Sequence, residues 1–130
     1  MKNNKVPHGE EWHSEYNEWK STLDFCRDEM RLLGKRLEEI AGTQKEQEIM
    51  ARLEQLQNQL IVQKEAHDIL LHDINAFEHR LEESYRGNPV AFTHRKFPEG
   101  AELREKLEQF RRLYARFKET VMQFAAEARA

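Results

Sequence analysis

Apolar residues recur along this chain at alternating steps of four and three, and they do so in three separate runs. The first takes Trp12, Tyr16, Trp19, Leu23, Cys26, Met30, Leu33, Leu37 and Ile40. The second takes Ile49, Leu53, Leu56, Leu60, Gln63, His67, Leu70, Ile74, Phe77 and Leu81, and the third Leu103, Leu107, Phe110, Tyr114, Phe117, Val121, Phe124 and Ala128. Such alternation keeps one stripe on the inner side of a helix wound at about 3.5 residues per turn, the seam of a left-handed coiled coil. Each run therefore predicts a long helix whose a and d positions face partners. The fold class that follows is all-α: an antiparallel three-helix bundle of coiled-coil character with a long central helix, in one domain over residues 1–130.

The polar breaks set the boundaries. Ala41-Gly42-Thr43 is expected to close the first helix (about 10–41), with Gly42 just past its end. Thr43 with Glu46 three residues on reads as a capping box opening the second helix (about 44–86). So short a connection makes these two helices antiparallel neighbours. Gly87-Asn88-Pro89 ends the second helix, Pro98 and Glu99 start the third (about 99–128), and residues 87–98 read as an irregular loop. The second helix is the longest. Its C-terminal end overhangs the first, with only the N-terminal tail and the 87–98 loop to cover it. The up-down-up order, with Trp on the first seam, is similar in topology to a spectrin-type repeat; that likeness concerns the fold and implies no function.

Composition narrows the function classes. Of 130 residues 35% are charged and 38% apolar, with five Gly and three Pro, a profile for helices with long solvated faces rather than a sandwich or an α/β fold. No apolar run approaches the roughly 20 residues of a bilayer span, and MKNNKVPHGEEW carries no signal-peptide core, so no membrane partner is expected. Cys26 is the only cysteine, which excludes an intrachain disulfide and points to a cytoplasmic protein. The net charge of −3 argues against polyanion binding by the whole chain, and nucleic acid is the partner least favoured.

Candidate chemistry is sparse. His67 and Gln63 fall on the seam of the second helix, so both are expected in the core, each with a hydrogen-bond partner. Pairing the helices about residues 43 and 92 puts Trp19 and Phe117 in the His67 layer, and Leu23 and Val121 in the Gln63 layer. The plain role for such a layer is to fix register; the sharper one is a ligand or metal site centred on His67 and Gln63, in a pocket made by Trp19, Gln63, His67 and Phe117, with Tyr16 and Tyr114 nearby. His72, His79 and Glu65 share an outer f stripe, where Asp68 is placed to hydrogen-bond His72. Glu10-x-x-His13 is the one pair with di-metal spacing, but neither residue is on the seam. No resident metal or cofactor is expected. Cys26 reads as a core thiol, and no nucleophile–base grouping or phosphate loop is present, so the chain is not expected to be an enzyme.

Two surface features remain. Residues 87–130 carry nine Lys/Arg against six Glu, whereas each preceding helix carries five against nine Asp/Glu. Arg104, Arg111 and Lys118 share the e position with Arg112 and Arg116 beside them; they are expected to pair with the acidic helices, and otherwise offer anion contacts. Thr93-His94-Arg95-Lys96 adds a smaller basic cluster. Off the seams, Phe25 and Leu32 on the first helix, and Ile61, Val62, Ile69 and Leu71 on the second, are apolar at positions that would otherwise face water. The leading expectation is a non-enzymatic interaction module, a small adaptor or chaperone-like protein. It would present a face of Phe25, Leu32, Ile61, Val62 and Ile69 to a second copy of itself or to another helical protein.

Overall fold

Helices begin where the apolar stripes begin. In the computed structural model, which describes residues 8–129, the chain is all-α: α1 (Gly9–Thr43), α2 (Gln47–Gly87), α3 (Pro89–His94) and α4 (Glu99–Arg129). The three long helices share one core, and every seam residue of α4 is buried in it. On α1 and α2 the seam is buried too, apart from Tyr16, Ile49 and Gln63, which are half-buried. Among the described residues the sole extended pairing is an isolated bridge between His8 and Lys96. No helix of the described residues is long and apolar enough to cross a membrane.

The first connection differs from the capping box expected at Thr43. Thr43 Oγ1 turns back and donates to the carbonyls of Glu39 and Ile40, both at 3.3 Å. These bonds add a side-chain donor to the last turn, and α1 runs on through Gly42, whose backbone stays out of the left-handed region. Gln44 caps α1 with its backbone N–H to Ile40 at 2.9 Å, and its side-chain amide donates to the Ala128 carbonyl at the end of α4 at 2.6 Å. Glu46 is the N-cap of α2, without a side-chain bond. The reversal is thus centred near residue 45 rather than 43, and the α1–α2 register moves by about one turn. His67 meets Leu23, and Trp19 packs against Phe77 with ring centroids 6.4 Å apart.

The second connection holds a helix where an irregular loop was expected. The Asn88 side chain accepts from the Ala91 N–H at 3.0 Å and Pro89 takes the first turn, an ordinary helix start. Six residues are too few to carry a periodic signal, and Asn-Pro reads equally as a stop. α3 lies along the last turns of α2, so α4 begins opposite Arg80, whose guanidinium approaches Glu99 at 3.8 Å. The α2–α4 register shifts accordingly, and His67 sits by Phe110 (6.1 Å between centroids) instead of Phe117.

α3 and the residues after it do cover the overhanging end of α2, through the buried Phe92 and Phe97. Phe92 stacks edge-on to Tyr85 at 5.5 Å and lies 5.8 Å from Phe97, which in turn meets Phe77 at 6.4 Å. Two glycines admit aromatic rings at this end of the bundle: a methyl group at Gly9 would fall inside Phe92, and one at Gly100 inside the Trp12 indole. The N-terminal tail expected to share this cover, like the leader reading of the first residues, lies outside the described residues as far as Pro7.

Candidate functional site

The residues expected to form one interaction face are exposed but lie on different edges of the bundle. Phe25 and Leu32 flank Glu29 at i,i+4 and i,i+3 spacing on α1, and Glu29 reaches across to Tyr114 and Lys118 of α4. They therefore border the α1–α4 edge. Ile61 lies two heptads before Asn75, which accepts from the Tyr16 hydroxyl at 2.7 Å, so it borders the α1–α2 edge. Val62 and Ile69, 60% and 63% exposed, line a groove of about 390 Å³ between α2 and α4. Leu113 of α4 forms its other wall, Leu70 and Phe110 line it from the core, and Asp73 and Lys106 bring opposite charges to it. Val62 and Ile69 thus share a groove wall with apolar residues of a second helix.

The four residues of the expected core pocket do not assemble. His67 is 1% exposed and each of its ring nitrogens faces an oxygen: Nε2 the Leu23 carbonyl at 2.8 Å, Nδ1 the Asp68 carboxylate at 3.0 Å. Asp68 thereby serves His67, not His72 as expected. Gln63 is half-buried rather than core, with its carbonyl oxygen unpartnered within the protein, and shares a shallow depression with Phe117 on the α2–α4 side. Trp19 belongs to the aromatic end of the bundle, 5.8 Å from Trp12. Of the outer stripe, His79 pairs with Glu83 at 2.9 Å.

The basic stripe on α4 is largely turned onto α1. Arg104 donates through two nitrogens to the Glu15 carboxylate, both at 2.6 Å, and this hydrogen bonding raises its already high pKa. Lys118 donates to Glu29 at 2.6 Å, and Arg111 approaches Glu108 on its own helix at 3.6 Å. Among the described residues Arg112 and Arg116 enter no ion pair. In the 93–96 cluster, Arg95 is likewise occupied: it donates to the Ser84 hydroxyl at 3.2 Å and lies over the Phe97 ring.

Cys26 is buried, and burial followed by the nearby Glu29 charge pushes its thiol up, so it stays protonated in the core. Glu29 itself shows how this interior handles a carboxylate. Burial works upward on it, but the hydrogen bonds from Lys118 and Tyr114 outweigh burial and hold it below the usual carboxylate range. Tyr114 is raised by burial and by the same carboxylate.

One set of polar groups escaped the heptad reading. Where α1, α2 and α3 meet, a cavity of about 420 Å³ opens beside Glu78. Glu78 occupies an e position of α2, and its side chain is only 9% exposed. Its Oε1 contacts His13 Nδ1 of α1, while Oε2 has no hydrogen-bond partner within the protein. Burial pushes this carboxyl up against the pull of His13, and the Glu82 charge adds to the rise. Glu10 and Glu82 also line the cavity, so both ends of Glu10-x-x-His13, although off the seam, belong to it. Tyr85, Phe92 and Leu81 supply apolar wall, and Arg86 its one Lys or Arg. Glu78, Glu82 and Tyr85 fall on one helical face by their spacing, a signal legible in sequence, but only the α3 cover encloses it. Among the described residues no three His, Cys, Asp or Glu side chains converge as a metal-ligand set.

Comparison with family models, with characterised proteins and with solved structures gives no match to this chain.

Proposed function

We propose that this chain is a non-enzymatic interaction module, an antiparallel three-helix bundle of coiled-coil character, working in the cytoplasm by association with a second copy of itself. The observation that carries this reading is the α2–α4 groove, where Val62 and Ile69, one heptad apart, face Leu113 with their side chains open to solvent. A row of apolar residues at heptad spacing beside a groove is what a further helix needs for knobs-into-holes packing. Charge favours a like partner. Asp73 of α2 and Lys106 of α4 stand at the groove with opposite charges, so a two-fold arrangement sets Lys106 of each copy toward Asp73 of the other. The adaptor or chaperone-like role belongs to the same reading.

Polyanion binding has less support, because Arg104 and Lys118 are already held by α1 carboxylates. Native mass by light scattering after size exclusion tests the proposal. The expected mass is twice 15.6 kDa, reverting to 15.6 kDa in a Val62→Glu, Ile69→Glu variant. A monomer at every concentration, or a dimer indifferent to those substitutions, overturns it.

A further inference from the structure

We infer that the end cavity beside Glu78 is a binding site for a small organic cation, a single ammonium group carried on an apolar or aryl body. The volume, about 420 Å³, falls within the range of small-molecule pockets. The decisive group is Glu78. A carboxylate buried to nine-tenths, with one oxygen engaged by His13 and the other unanswered, carries a desolvation cost that a donor in the cavity would offset. An ammonium group is such a donor, and its charge is matched by Glu10 and Glu82 in the same wall.

The rest of the wall selects the body of the ligand. Leu81 and the edge-to-face pair of Tyr85 and Phe92 present carbon and aromatic surface, suited to an aryl or alkyl group and to a cation resting against a ring. A bare metal ion would leave that surface unused, and the carboxylates present do not converge as a metal set. Arg86 limits the charge: the second ammonium of a polyamine would meet a guanidinium in the same wall. The site is separate from the α2–α4 groove, so it stands whether the chain is a monomer or a dimer.

The test uses the full chain and 2-phenylethylammonium as probe, with 2-phenylethanol as its neutral isostere and 3-phenylpropionate as its anionic one. Calorimetry gives affinity, and amide-resolved magnetic resonance gives location. The expected result is saturable binding with shifts at Leu81, Tyr85 and Phe92, about tenfold tighter for the ammonium than for either analogue. Glu78→Gln, which keeps shape and an acceptor for His13, should remove most of that preference while the circular dichroism stays that of the parent. Tyr85→Ala, at the exposed side of the wall, should weaken all binding and supplies the second variant if Glu78→Gln folds poorly. Equal binding of the alcohol, shifts confined elsewhere, no saturation at millimolar probe, or an unchanged preference in Glu78→Gln each overturns the inference.

Discussion

Glu29 and Glu78 are both carboxylates at the flank of a seam, one on α1 and one on α2, and the bundle treats them in opposite ways. Glu29 receives the Tyr114 hydroxyl at 2.7 Å and the Lys118 ammonium at 2.6 Å, and its pKa falls. Glu78 receives one contact from His13, leaves Oε2 unpartnered, and its pKa rises. Burial works upward on both, so the number and charge of the donors decide the outcome. The Glu29 cluster is complete by itself and joins α1 to α4. The Glu78 end leaves a buried carboxylate oxygen without a partner in the protein, beside a cavity.

The largest expected effect comes from breaking the Glu78 end outright. Trp12 is fully buried there, against Trp19 and Phe77 and under the Arg104 guanidinium at 4.8 Å. Trp12→Ala should cost about 3–5 kcal/mol in denaturant unfolding. Amide exchange should loosen first at this end, while the residues around Glu29 and His67 keep their protection. Uniform loosening would mean that the two regions are not separable.

Gly100→Ala attacks the same end by crowding, since the added methyl must displace the Trp12 ring. Overpacking of this kind costs about 1–3 kcal/mol, read as a drop in thermal midpoint. The identical change at Gly42, which has open space around it, serves as the control. On the other side of the comparison, Tyr114→Phe removes one donor from Glu29 and should cost about 1 kcal/mol.

The smallest effects are also the sharpest, because their signs are opposite. A folded-state pKa below the ordinary value of 4.5 gives Glu29 a stabilising contribution that is present above 4.5 and lost as pH falls through the lowered value. A folded-state pKa above 4.5 makes the ionisation of Glu78 work against folding. Its penalty is absent at low pH and grows as pH rises from 4.5 through the raised value. Glu29→Gln should therefore flatten the acid side of the stability profile, and Glu78→Gln should remove a decline just above it. Parallel profiles for the two variants would show that the carboxylates are handled alike.

The heptad pattern by itself determined which residues form the long helices and which face inward, because burial follows an apolar stripe wherever a helix has partners. That covers the all-α class, the α4 seam, the buried Cys26 and His67, and the pairing of Arg104 and Lys118 with acidic neighbours. Register was decided by tertiary structure. Thr43 back-bonding onto α1 moved the first reversal, and the α3 turn moved the second, so His67 sits with Leu23 and Phe110 rather than Trp19 and Phe117. A period repeats itself every seven residues and is silent about a shift along its own axis; the turns and the contacts between helices, His67 on the Leu23 carbonyl and Gln44 on the Ala128 carbonyl, accompany that shift. The same limit hid the Glu78 cavity. Glu10, His13, Glu78 and Phe92 come from three helices, and what joins them is the folding of α3 over the end of α2, which no single stripe records.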